Sequence, residues 1–574
     1  MNEKQSVVSI LPQEVWIAIL RHLDHSDLFC LRLCCKRFNE IVSRGPVWRS
    51  RCWTRWLEHL SYDPFDERLP NGNDWFYYYR LRNRIDQSLM KLLRKLVNEN
   101  DTTEYWHLYR RILRYNPSHI IPFLYGVVER GFLSSETFDV VTICQHLLIS
   151  VRHKHIYDLF GIGESGSQTF VHNAEETFFL PLAAMDPSFD RLLHFRSDVH
   201  DRVHSLIRAE FDNFQDFLNL PATLRVDKLI SRLFEAVDLL DKDRQLFVED
   251  FMLLRIYAGE TAGHPLLILS MVQHLASKYG VETVLCGSYL IIHDPNVRDG
   301  ETYLTIGSFG VPKIFTKRRL ILSLKRILGS SDYIIQREIL PTILQPLKHQ
   351  ELLTTVFKEL LPLYNKSKWS VASPKTMDEL QRLFPHSNQP IRPKMINYFI
   401  CVFKALEIRS KNERSISVML TIAFKGVFQL ISKLFPGDLS YAEELLNCKG
   451  AAFCEIDLAY KDWLSQIHNI SLRAHAELGS FVVSVRDGQI LCIVGVKEHN
   501  SAGTFYNLMS FAGEFYVEQS NNIRAIETDE EENIIKRFLT LGFQSDLGLV
   551  FSGIDWLSHK LIPNSHASKI METH

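Results

Sequence analysis

A chain of 574 residues has room for three to five domains at about 150 residues each. Its 46% hydrophobic and 23% charged residues are those of an ordinary globular protein, and a formal net charge of -2 excludes a global basic field for nucleic acid. Ten cysteines with no Cys-x-x-Cys pair exclude a dense disulfide framework and read as reduced thiols of a cytoplasmic or nuclear protein. The opening MNEKQSVV carries no apolar signal core, and no apolar run approaches the roughly 20 residues a membrane span needs. The best candidate, Met395 to Phe403, is broken by Asn397 and closed by Lys404, as in a buried helix. No membrane partner is expected.

In chain order, residues 9–60 form a compact helical block and residues 74–250 read as helix after helix, with apolar residues three and four apart in SLMKLLRKLV and RLLHFRSDVHDRVHSLI. Gly161 to Ser167 breaks the pattern as a loop. Met252 to Tyr279 predicts two buried helices around Gly263-His264-Pro265. VETVLCGSYLIIHDP and ETYLTIGSFG then run at strand length, and a further helical stretch starts near Ile321. Residues 371–394, with Pro374, Pro385, Pro390 and Pro393, read as a linker, and 395–468 as helical again. Residues 473–527 predict an all-β module, its hairpin at Asp487-Gly488 needing a positive φ. Residues 528–562 read as terminal helices. The fold class expected is therefore multidomain and mainly α, with an α+β region in the middle and a small antiparallel β module near the C-terminus.

The first block reads SILPQEVWIAILRHLDHSDLFCLRLCCKRFNEIVSRGPVWR. Pro12 suits the start of a helix that places Val15, Ile19, Leu20 and Leu23 on one face. Ser26 can cap the next helix, with Asp27 favoured at its N-terminus, and Leu28, Leu31, Cys35 and Phe38 continue a second apolar face. Fifty residues cannot bury all of this among themselves, so the excess faces either the rest of the chain or a partner protein. The succession Leu-Pro-x-Glu, Ile-Leu-x-x-Leu, Asp-Leu, Cys-Cys-Lys-Arg-Phe and Pro-x-Trp closely resembles the F-box motif, with Cys34 where Val is common and Phe38 where Trp is common. The resemblance implies a three-helix domain that docks on the Skp-type adaptor of a cullin–RING ubiquitin ligase. Carried over by position, the contacts are Leu11, Pro12, Ile19, Leu20, Leu23, Leu28, Leu31 and Trp48, with Leu20, Leu23 and Trp48 as the anchors.

The stretch GHPLLILSMVQHLASKYGVETVLCGSYLIIHDPN resembles the SirB-like, transglutaminase-like region, with Ser288 where the family carries His. Such chemistry needs a Cys nucleophile, a His base and an orienting carboxylate. No Cys stands in Leu266 to Ser270, and Cys286 and His293, seven apart on one strand, face opposite sides. Cys286 and Ser288 thus read as the remnant of a lost active site. ELGSFVVSVRDGQILCIVGV and FYNLMSFAGEFYVEQSNNIRAI resemble the YccV-like, hemimethylated-DNA-binding module, which implies a small antiparallel β barrel over residues 473–527. Arg473 to Arg524 hold four basic residues against five acidic ones, a net of -1, which makes a poor DNA surface. The succession of the three regions resembles the F-box only protein 21 family and implies a non-catalytic adaptor that recruits a protein substrate to a Skp–cullin–F-box ligase. A DNA-binding or chromatin protein, or a transglutaminase-like hydrolase, are the alternatives.

Other constellations carry less. His200 and His204 lie four apart on a helix, with His194 upstream, but fit a solvated face better than a metal site. His153 and His155 flank Lys154 as in a surface turn, Lys317-Arg318-Arg319 is a weak basic patch, and the acidic run 529–532 suits a helix start. No cofactor and no metal are expected.

Overall fold

The computed structural model describes residues 11–43, 45–58, 75–99, 101–133, 137–161, 171–184, 186, 189–237, 248–307, 310–370, 436–438, 441, 478–486, 488–499, 503–510, 515–526, 531–541 and 546–564. The expected linker at 371–394, the helical region at 395–468 and most of the Gly161 to Ser167 loop lie outside these. The chain divides into two compact units, residues 1–151 with 467–574, and residues 152–466. Among the described residues no helix is long and apolar enough to cross a membrane.

The first unit opens with α1 (Gln13–Leu20), α2 (His25–Cys34), α3 (Lys36–Val42) and α4 (Gly45–Cys52), the last running on into a π-helical turn at Trp53–Leu57. Pro12 stands at the N-cap of α1, where a missing N–H costs nothing. Asp24, not Ser26, occupies the N-cap of α2. Cys35 is extended, at φ -159°, and its Sγ accepts from the Phe38 N–H at 3.4 Å, so it ends α2 and caps α3. Then come α5 (Trp75–Val97), α6 (Thr102–Leu113), α7 (Pro117–Arg130) and α8 (Phe138–Gly161). In α5 the buried residues Trp75, Tyr79, Arg82, Asp86, Leu89, Leu93 and Leu96 keep three- and four-residue spacing along one face. Asn116 caps α7 through Ser118, Pro117 takes its first turn and Gly131, at φ +59°, ends it. His153 and His155 belong to α8 and not to a surface turn; His153 is buried and bonds Asp438.

In the second unit α9 (Phe189–Glu210), α10 (Ala222–Val237), α11 (Leu253–Tyr257) and α12 (Pro265–Lys278) precede a four-stranded antiparallel meander. Every residue of α12 from Leu266 to Ala276 is buried, as expected of a helix apolar on all sides. The strands β1 (Thr283–Cys286), β2 (Tyr289–His293), β3 (Glu301–Ile306) and β4 (Pro312–Thr316) pair in that order. The segment expected as one strand is a hairpin, because Gly287, at φ +53°, turns the chain and pairs Cys286 with Tyr289. Next are α13 (Lys317–Leu328) and α14 (His349–Ser370).

The chain returns to the first unit with β5 (Phe481–Ser484), β6 (Ile490–His499), β7 (Gly503–Ser510), β8 (Phe515–Gln519) and β9 (Ile523–Ala525). They form an antiparallel sheet in the order β8-β7-β6-β5-β9. This sheet is open among the described residues: β8 and β9 are its edges, so the expected barrel is not closed. Gly488, at φ +69°, makes the β5–β6 turn that the Asp-Gly pair announced. One face gathers Val482, Leu491, Ile493 and Leu508; from the other, Phe481 meets Phe538 of α15 (Glu531–Leu541) edge-on at 5.0 Å. Where only terminal helices were expected, β10 (Phe551–Asp555) and β11 (Lys560–Pro563) form a hairpin turned by His559 at φ +54°.

Candidate adaptor-docking surface and a buried polar cluster

The helices of the first block owe their arrangement to one aromatic centre. Trp48 of α4 is fully buried, packs on Phe29, Phe76 and Tyr79, and donates its indole N–H to the carbonyl of Val42. Leu20, Leu28, Ile41, Val42, Val47 and Trp56 complete this core. Arg51 donates to the carbonyls of Leu20, at 3.2 Å, and Leu23, satisfying the last turn of α1. Behind it, Asp86 of α5 takes Arg55 at 2.7 Å and the Trp56 indole N–H at 3.1 Å. Burial raises the Asp86 carboxyl above the usual range against the pull of Arg55.

The eight positions assigned to adaptor contact therefore divide. Leu20, Leu28 and Trp48 have no exposed surface, and their role is internal packing, which corrects the choice of Leu20 and Trp48 as anchors. Leu11, Leu23 and Leu31 are half-buried, and Pro12 and Ile19 are exposed. Val15, named by the sequence only as a face residue, joins them: Pro12, Val15 and Ile19 lie three and four apart, and Val15 and Ile19 are each 41% exposed. The signal was available, since Leu20 turned inward leaves these positions as the outer edge of the same face. Trp53 was missed altogether. It is 40% exposed and lines an open groove with Arg21, Pro46, Arg49, Ser50 and Trp75.

The two remnant residues, Cys286 and Ser288, differ in exposure. Ser288 is exposed in the β1–β2 turn, while Cys286 is buried at the end of β1. Burial, and then Glu301, push the Cys286 thiol up to about 12. His293 stands at the other end of the hairpin, with Glu301 at 3.8 Å. Four pairs of strand rise, roughly 13 Å, separate it from Cys286, so no dyad forms. The start of α12 offers His264 as its cap, accepting from the Leu266 N–H at 3.2 Å and bonded to Glu359 at 2.5 Å, a pin between α12 and α14.

A cluster the sequence did not reveal lies between α9, α11 and α12. Arg196 donates to Glu175 at 2.5 Å and to His274 at 3.1 Å. The Tyr257 hydroxyl donates to Glu175 at 2.7 Å and meets His200 at 3.0 Å; Lys278 reaches the other ring nitrogen of His200, also at 3.0 Å. The His200 and His274 rings stack at 5.1 Å. Burial, then the nearby Lys278 and Arg196, push His200 down to about 2, and burial and Arg196 push His274 down to about 3. His204 bonds Tyr279 at 3.0 Å, and with His200 buried the solvated face expected of this pair is corrected to an inward one.

Glu175, His200 and His274 each offer one ligand atom within 4.8 Å of the others. A divalent cation does not fit this set. Arg196 and Lys278 are already hydrogen-bonded to those three side chains, and two fixed positive charges oppose a third. The arrangement satisfies a buried carboxylate and ties three helices together.

With this geometry in view, residues 8–53 match the family model described as F-box-like. The chain carries an F-box-like domain, and it coincides with the four-helix block. The whole chain is similar to the Saccharomyces cerevisiae protein "Mitochondrial distribution and morphology protein 30", 24% identical over 571 residues that cover 95% of this chain and 92% of that one. No solved structure matches the chain.

Proposed function

We propose that this protein is the substrate-recognition subunit of a Skp–cullin–F-box ubiquitin ligase, without catalysis of its own. The observation that carries the reading is the exposed apolar stripe Pro12, Val15 and Ile19 on the first helix of the F-box-like domain, beside a fully packed core. A stripe that the rest of its own domain leaves uncovered is the surface a Skp-type adaptor would take. The adaptor links it to cullin, and the remainder of the chain holds a protein substrate near the charged conjugating enzyme. Catalysis by raised effective concentration asks for no reactive residue on this chain. The buried, proton-retaining Cys286 favours this over a transglutaminase-like hydrolase.

Within this reading the middle and C-terminal regions, likened to the SirB-like and YccV-like modules of the F-box only protein 21 family, serve recognition. The helix-then-meander order of α12 and β1–β4 and the open sheet β5–β9 support such a use. The whole-length relative's name makes proteins that set mitochondrial distribution or morphology the first substrates to test. The chain acts in the cytoplasm or nucleus. The test is co-purification with the adaptor and cullin, comparing wild type with Val15→Asp/Ile19→Asp. Wild type retains both and the variant neither; equal recovery by the two rejects the assignment.

A further inference from the structure

The last turns of α13 and the segment that follows pose a problem the adaptor role does not solve. Leu320, Ile321 and Leu324 pack into the core beneath the β1–β4 meander. The apolar stripe then continues past the end of that core: Ile327 is 74% exposed and Leu328 50%. Gly329, at φ +64°, turns the chain, and Tyr333 and Ile334 follow, Tyr333 64% exposed. Lys325 bonds Asp332 at 2.8 Å and the Arg337 guanidinium lies 5.1 Å from the Tyr333 ring centre, so the two sides of the corner are tied.

Around this knob the charge is one-sided. Residues 311–339 hold seven basic residues, Lys313, Lys317, Arg318, Arg319, Lys325, Arg326 and Arg337, against Asp332 and Glu338, a net of +5 in a chain whose total is -2. All seven are exposed, and Leu322 stands exposed among those on α13.

We propose that this corner docks peripherally on an anionic lipid bilayer. The aliphatic and tyrosyl side chains would enter the boundary of headgroups and acyl chains, and the cations would meet the lipid phosphates and carboxylates. Nucleic acid would use the cations but offers nothing to Ile327 or Leu328. This departs from the sequence expectation of no membrane partner, and involves no span.

The experiment is flotation of the full-length chain with phosphatidylcholine vesicles and with phosphatidylcholine–phosphatidylserine vesicles. The chain should float with the anionic vesicles only, and less at high salt. Arg318→Gln/Arg319→Gln should lower partition about 30-fold, at roughly five-fold for each charge removed. Ile327→Glu/Leu328→Glu should abolish flotation with an unchanged melting temperature. No flotation with anionic vesicles, equal flotation of wild type and both variants, or retention of duplex RNA but not vesicles overturns the proposal.

Discussion

Single residues in the F-box-like domain sort by burial into those that build it and those that face outward. Trp48→Ala removes the aromatic centre and its hydrogen bond to Val42, and should cost about 3–5 kcal/mol. Thermal unfolding would register that loss, whereas Val15→Asp and Ile19→Asp should leave the melting temperature near wild type. The buried histidines give a second residue-scale prediction. His200 and His274 are neutral in the folded chain, while unfolded imidazoles take up protons as pH falls through about 6.5. Below that pH the unfolded state binds more protons, so stability falls with acid by up to about 1.4 kcal/mol per pH unit for each histidine. The Glu175 carboxyl, raised by burial, acts in the opposite sense and reduces the net slope. Melting temperature should therefore drop between neutral and mildly acidic pH, and His200→Gln should flatten the profile; a flat wild-type profile contradicts this. Thiol reactivity is a third case. Among the cysteines of the described residues, iodoacetamide should modify the exposed Cys30, Cys34 and Cys35 first and leave the buried Cys286 unmodified in the native chain, which mass spectrometry of digests would report. Early modification of Cys286 would reopen the hydrolase alternative.

At the scale of elements, close backbone approach matters as much as apolar pattern. Gly479, at φ +79°, donates to Ile493 at 2.8 Å and accepts from the Leu561 N–H at 3.0 Å, so it is clamped between β6 and β11. A Cβ there would lie 2.3 Å from the Leu561 carbonyl oxygen, with no room and a disfavoured conformation. Gly479→Ala should lower the stability of this region by several kcal/mol, read as earlier unfolding; an unchanged melting temperature would contradict the clamp. The same elements show what was legible beforehand. The helix start at Pro265, the buried faces of α5 and α12, and the Asp-Gly hairpin follow from local chemistry and were read directly. The Gly287 turn was read as strand interior because its flanks are equally apolar, and β10–β11 was read as helix. The barrel was inferred from a family likeness, yet closure depends on β8 meeting β9, a long-range pairing that no local pattern encodes. The Glu175–Arg196–His200–Tyr257–His274 cluster was illegible for the same reason. Its members are spread over a hundred positions, and only packing of the Glu175–Phe179 turn with α9, α11 and α12 assembles them.

For the molecule as a whole, the chain divides into two compact units, and its F-box-like domain belongs to the first of them. In the interior, burial lowers the His200 and His274 imidazoles and raises the Cys286 thiol. Among the exposed apolar groups of the described residues are the stripe of α1 and the cationic, apolar corner of α13. Docking on a Skp-type adaptor would use the first of these. The purified full-length chain is titrated with purified Skp-type adaptor, beside Val15→Asp/Ile19→Asp shown by melting temperature to be folded. Wild type should bind tightly and the variant should lose at least about 30-fold, as for removal of interface anchors worth more than about 2 kcal/mol. Equal affinity of the two folded proteins, or no binding by wild type, would contradict it.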